Sequence, residues 1–377
     1  MSKGAYIGVD GVARKVKKGY VGVDGVARRI KRAYIGIGGV ARPCWSGGEL
    51  AYYGAIESLS KAKHSLSAAT VGDYAIFVGG NNSSNNAENT VDAYNKSLTR
   101  TSPAALYDSK FELGATSVGN YAVFAGGRNS SLTALASVEA YNKSLTKSSP
   151  TALTLKRYQL TATTIGDYAV FAGGVDAGYY VELEVYNSSL TKVTATALSN
   201  GRVTLAAAST GIHALFGGGD NLSGAQKTVD AYDTSLTRTI PTSLSYARYL
   251  LACASVGKSV IFAGGAISAS GACGYVDAYD SSLTRVGLDN LATAAVAPAG
   301  VTIENFAIVA GGSKYTDNSS SVKNAYSYDE SLTRKSITGL SVARNRLAAT
   351  SIGSHALFSG GIAGASPKNT VDAYVVA

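Results

Sequence analysis

Seven times along the chain a short apolar run ends in a pair of glycines, beginning with Ala75-Ile76-Phe77-Val78-Gly79-Gly80. The pairs recur at Gly126-Gly127, Gly173-Gly174, Gly218-Gly219, Gly264-Gly265, Gly311-Gly312 and Gly360-Gly361, in steps of 45 to 49 residues. Continuous apolar runs of this length read as buried strands. The rest of each unit repeats as well. In the fifth copy Leu251 to Ser255 is a first strand, Val256-Gly257 turns the chain, and Ser259 to Ala263 is the second strand. A variable loop follows, then Val276-Asp277-Ala278-Tyr279 as a third strand; Asp280-Ser281-Ser282 turns into Leu283-Thr284-Arg285 as the fourth.

Four short strands per unit at this period predict an all-β protein, a seven-bladed β-propeller. Closure follows from a mismatch. There are seven glycine pairs but six Ser-Leu-Thr segments, and the last unit stops after Val371-Asp372-Ala373-Tyr374 without a fourth strand. Ala51-Tyr52-Tyr53-Gly54-Ala55-Ile56, upstream of the first unit, stands in the register of one, so an N-terminal strand is expected to complete the last blade. The unit resembles a kelch repeat over residues 50–377: an apolar strand, a Gly-Gly pair, and a Tyr about fourteen residues later. It departs from that pattern where the outer strand's usual Trp is replaced by segments such as Ser97-Leu98-Thr99-Arg100 and Ser235-Leu236-Thr237-Arg238. Within a unit, Asp92–Arg100, Glu139–Lys147, Glu184–Lys192, Asp230–Arg238 and Asp277–Arg285 are expected to pair across the outer strands, with Tyr326 facing Arg334 in blade six.

A shorter repeat precedes the propeller. Tyr6, Tyr20 and Tyr34 are fourteen residues apart, as are Gly11-Val12-Ala13-Arg14, Gly25-Val26-Ala27-Arg28 and Gly39-Val40-Ala41-Arg42. Each unit reads as strand, Asp-Gly or Gly-Gly turn, strand, because such dipeptides supply the positive φ that tight hairpins need. Two regions result: a β-hairpin repeat arm of three 14-residue units over residues 1–48, and the propeller over residues 49–377. The arm resembles Tyr-x-Gly-Val-x-Gly-Val-Ala-Arg repeats in structural proteins of phages and prophages of Gram-positive gut bacteria. That resemblance covers roughly residues 4–46 and implies a virion component.

Charge separates the same regions. Residues 1–48 hold ten Lys or Arg against Asp10 and Asp24, whereas the remaining residues are nearly balanced. The basic side chains Arg14, Lys15, Lys17, Lys18, Arg28, Arg29, Lys31 and Arg32 are candidate contacts to an acidic partner, and equally a solvated edge that resists aggregation. Isolated hairpins of this size are marginal in water, so pairing with another chain or with further copies of the arm is expected. No run of 18 apolar residues marks a membrane span. The N-terminus lacks the apolar core of a signal peptide, so synthesis in a bacterial cytoplasm and release in a virus particle are expected.

In the propeller, the loops after the glycine pairs vary most: Asn81 to Thr90, Arg128 to Ser137, Asp220 to Thr228 and Ser313 to Lys323. They share one face with the connections that enter each first strand, and a rigid scaffold with one variable face suits recognition. On that face Lys63, Lys110, Arg157, Arg202, Arg248 and Arg344 recur three residues before the first-strand Leu, with Ala295 in blade six. These six are candidates for an anion-binding ring at the channel mouth, and alternatively packing residues. Tyr107, Tyr158, Tyr179, Tyr180, Tyr246 and Tyr249 are candidate stacking partners for sugar rings, or loop packing.

Catalytic chemistry is not legible. Cys44, Cys253 and Cys273 have unrelated spacings, His213 and His355 occupy a position held elsewhere by Tyr, and His64 alone stands near the mouth. No phosphate loop, metal-ligand spacing or nucleophile elbow appears, and no cofactor is expected. The expected role is a non-enzymatic, virion-associated interaction protein. Its arm would attach to phage structural proteins, its loop face would bind host-surface glycan or protein, and homo-oligomers would form; nucleic acid is not an expected partner. Alternatives are a purely structural decoration or cement protein, or a carbohydrate-active enzyme.

Overall fold

A computed structural model describes residues 48–268 and 271–376 in full and, of residues 1–47, the backbone of six strands. The propeller region folds as seven four-stranded antiparallel sheets, each a blade, and the described residues contain no helix. Blade five shows the plan: Ala252–Val256, Ser259–Ala263, Val276–Tyr279 and Arg285–Leu288 lie side by side in chain order. The apolar run is the second strand, and it is fully buried because neighbouring blades cover both its faces; Ile76, Phe77, Val123 and Phe124 are all 0% exposed. Seven apolar clusters result, each drawn from two adjacent blades, as where Ala69 and Ile76 of blade one meet Phe124 and Tyr141 of blade two.

Blade seven closes the ring as expected. Ala348–Ile352, His355–Ser359 and Val371–Val376 are joined by Leu50–Ile56, which pairs with Val371–Val376 through an irregularity at Tyr374. Tyr52 donates its hydroxyl to Asp372 Oδ1 at 2.5 Å, the position that an outer-strand Arg or Lys fills in other blades. In the arm, Tyr6–Val9 pairs with Val12–Lys15, Gly19–Val23 with Val26–Ile30, and Ala33–Ile37 with Val40–Trp45, giving three separate hairpins.

The outer strands correct two expectations. Leu283 and Thr284 belong to the turn with Ser282 and not to the strand, which starts at Arg285: Asp280 Oδ1 accepts the N–H of Ser282 and of Thr284, both at 2.9 Å, and Leu283 takes φ of +62°. All five expected ion pairs form, but diagonally. Arg100 sits directly opposite Tyr94 and reaches Asp92 from there at 3.1 Å. In blade six Arg334 likewise faces Tyr328, with its guanidinium 5.5 Å from the Tyr326 ring.

The glycine pairs follow from close approach between blades. The first glycine has positive φ, and a Cβ there would meet the backbone oxygen of the next blade, as at Gly173, where Arg202 O would lie 2.5 Å away. The second glycine donates its N–H to that same oxygen, as Gly174 does to Arg202 at 3.0 Å. This stitch repeats at all seven junctions, including Gly361 N–H to Lys63 O at 2.9 Å.

Candidate functional site

In six of the seven blades the entry loop carries the recurring basic residue, and the structure places it inside the blade. Lys63, Lys110, Arg157, Arg202, Arg248 and Arg344 are all 0% exposed. Each faces the carboxylate of its own third strand: Asp92 at 3.3 Å, Glu139 at 3.1 Å, Glu184 at 3.8 Å, Asp230 and Asp277 at 2.8 Å, and Asp372 at 2.7 Å. The expectation of an anion-binding ring at the mouth is therefore corrected. These charges are covered by protein and neutralised by carboxylates, which is the packing alternative. Burial lowers the pKa of Lys63 and Lys110, opposed by Asp92 and Glu139 respectively, and burial likewise lowers that of Arg157 and Arg202.

What reaches the mouth is the residue two positions later. Ser65, Glu112, Gln159, Thr204, Leu250, Ala297 and Arg346 all adopt φ between +50° and +57°. Their backbones form a closed circle in which each N–H donates to the carbonyl of the preceding blade's equivalent, from Glu112 to Ser65 at 3.0 Å round to Ser65 to Arg346 at 2.9 Å. Left-handed backbone costs a non-glycine residue roughly 1 kcal/mol, and one hydrogen bond per residue offsets it. Sequence reasoning missed this ring because its side chains share no chemistry. Chemical variation at a strictly periodic position was the available signal.

The ring lines a cavity of about 420 Å³ on the variable face, together with Asp220, Tyr249, Val203 and Pro298. Glu112 is paired with Arg128 at 2.9 Å, and Arg128 lies over the rings of Phe111 and Tyr158 at 4.9 and 4.6 Å. Arg346 faces the cavity with no carboxylate within ion-pair distance among the described residues. His64 is buried nearby; burial first, and the Arg346 charge second, push its pKa down to about 4. Asp220 is held above the usual carboxylate range by partial burial.

Farther along the channel the lining is small and uncharged. Hydroxyls there join neighbouring first strands: Thr70 donates to Ser351 O at 2.6 Å, Ser255 to Ser209 O at 2.6 Å, and Thr302 to Ser255 O at 2.8 Å. Ser117 and Thr164 make the same bond to Thr70 O and Ser117 O.

The expected aromatic residues divide. Tyr249 lines the mouth. Tyr107 is 68% exposed beneath the Lys147 ammonium, and Tyr246 stacks on Tyr275 with ring centres 3.8 Å apart. Tyr158 and Tyr180 lie against Arg128 and Arg157, and Tyr179 bridges to Val175, so these three serve loop packing. His355 is buried against Tyr53, and Cys253 lies in the channel wall with its thiol bonded to Ala207 O and burial pushing its pKa up to about 12. The side chains of the arm candidates Arg14, Lys15, Arg28 and Arg29 lie outside the described residues, as do Lys17, Lys18, Lys31, Arg32 and Cys44.

No protein-family model and no curated protein matches the chain.

Proposed function

We propose that the chain is a non-enzymatic interaction protein whose loop face binds a host-surface glycan or protein. The basic hairpin arm attaches it to a phage particle. One observation carries the binding half. Of nine exposed large apolar side chains among the described residues, seven belong to the loops of the variable face: Tyr107, Leu132, Leu222, Ile240, Tyr246, Ile267 and Tyr315. They sit in second-to-third and fourth-to-first loops, which the blade topology brings to one end. Scattered exposed apolar residues are ordinary, but their concentration at one end of the propeller supports a contact surface there.

The kelch-like repeat supports a scaffold role, and the arm's resemblance to phage structural repeats supports the particle. The test is binding of the full chain to glycan arrays and to envelopes of Gram-positive gut bacteria. Retention is expected, and a Leu132→Asp, Leu222→Asp, Tyr246→Ser variant loses it while Ile212→Asp, in a turn at the opposite end, does not. Silence on both surfaces, or equal loss from the Ile212 control, rejects the reading.

A further inference from the structure

The mouth has a division of chemistry that narrows its ligand. In blade order from seven to four, the ring presents a guanidinium, a hydroxyl, a carboxylate, an amide and a hydroxyl, from Arg346, Ser65, Glu112, Gln159 and Thr204. Blades five and six add the apolar side chains Leu250 and Ala297 to the ring, with Pro298 and the Tyr249 ring beside them, the Tyr249 hydroxyl being turned to Ser268 O. A polar arc facing an apolar arc matches a pyranose, which carries hydroxyls round its edge and a face of C–H groups. The volume of about 420 Å³ suits a small molecule.

The charges choose among sugars. Glu112 is already neutralised by Arg128, which covers its Oε2 and leaves Oε1 to accept a hydroxyl without a net charge. Arg346 has no such partner among the described residues, and a guanidinium held near an apolar wall binds a carboxylate in two parallel hydrogen bonds. Asp220 stands on blade four, away from Arg346 on blade seven, and leaves that end of the mouth positive. The backbone ring fixes the arrangement before any ligand arrives, so little ordering is lost on binding.

Resting on the loop-face reading above, we propose that the mouth binds a carboxylate-bearing sugar of hexose size, its carboxylate on Arg346 and its apolar face on Leu250. The test is calorimetric titration of the full chain with glucuronate, galacturonate and N-acetylneuraminate, beside glucose and galactose. At least one acidic sugar should bind about tenfold more tightly than the neutral ones. R346Q and R346N (Asn tolerates the left-handed backbone) should erase that preference with the unfolding temperature unchanged, whereas Q159A should weaken acidic and neutral sugars alike.

Equal binding of acidic and neutral sugars, or no binding of either at millimolar concentration, overturns the proposal. Envelope binding that persists in R346Q and resists competition by acidic sugars overturns it while sparing the loop-face reading. Envelopes left unbound by the unaltered chain remove that reading itself.

Discussion

At the scale of single residues, the buried ion pairs show what the repeat conserves and what it trades. Asp277 is 0% exposed between two guanidinium groups, Arg248 at 2.8 Å on Oδ2 and Arg285 at 2.8 Å on Oδ1, and it also accepts the Ser245 N–H. The equivalent carboxylate takes a loop N–H in other blades, as Asp92 does from Ser60 at 2.9 Å and Asp372 from Ser341 at 3.0 Å. Blade six replaces both members at once. Ala295 stands for the base and Tyr326 for the acid, the Tyr hydroxyl accepts the Thr293 N–H at 2.8 Å, and Arg334 rests over the ring. The chain thus carries its own neutral solution to the same packing problem. D277N should cost about 3–5 kcal/mol, because Arg248 is left buried beside a neutral partner. The double change R248A with D277Y, which copies blade six, should be less destabilising than the sum of its parts by about 2 kcal/mol. Urea unfolding of the unaltered chain, D277N, R248A, D277Y and the double variant measures this; simple additivity would mean the pair is not a coupled unit. The recurring base was legible as a period of the sequence, but its direction was not. Only the left-handed turn two residues later decides that the base points into the blade and its follower to the mouth.

At the scale of elements, glycine and leucine both hold positive φ, for opposite reasons. The first glycine of each pair leaves no space for a Cβ. Leu98, Leu145, Leu190, Leu236, Leu283 and Leu332 adopt φ of +60° to +63° with full side chains, because each packs into or against an inter-blade core. The sequence places Leu283-Thr284 in the fourth strand because the leucine looks like one more apolar strand position, whereas the strand starts at Arg285. An Asx turn with a left-handed leucine packed on an inter-blade core has no simple periodic signature, so the difference arises from turn chemistry rather than from the repeat. The glycine stitch gives the sharper test. Gly173→Ala would place a methyl 2.5 Å from Arg202 O and 2.6 Å from Leu205 Cδ2 at φ +69°. Blades three and four would have to separate, and a loss of roughly 3 kcal/mol or more is expected from chemical denaturation. Gly178→Ala, in the loop of the same blade with nothing within 4 Å, serves as control and should change stability by less than about 0.5 kcal/mol. If the two behave alike, the stitch does not hold the junction.

At the scale of the whole molecule, a closed circle of backbone hydrogen bonds braces the mouth of the channel, hydroxyls link five of the seven first-strand junctions beyond it, and one strand closes the ring that both depend on. Closure was legible because a count of repeated segments exposed a missing outer strand. The mouth was not, because its seven positions vary freely on a fixed backbone. The same closure makes the N-terminus divisible into parts with separate consequences. Among the described residues the six arm strands pair as three separate hairpins, whereas Leu50–Ile56 is the outer strand of blade seven and brings Tyr52 to Asp372. Deleting residues 1–46 should therefore leave the propeller's unfolding temperature within a few degrees of the full chain, while under the proposed anchoring role it should abolish incorporation into particles. Deleting residues 1–56 strips blade seven of its fourth strand, exposes the edge of Val371–Val376, and removes a partner from the buried Asp372. A fall in unfolding temperature of about 10 °C or more is expected, with new oligomers formed through the open edge. Calorimetry and light scattering on the two truncations read the fold; particle incorporation of the shorter deletion reads the arm. If the shorter deletion unfolds the propeller, the arm belongs to the fold and no loss of incorporation can be credited to anchoring. If it folds and is incorporated normally, attachment lies elsewhere on the chain.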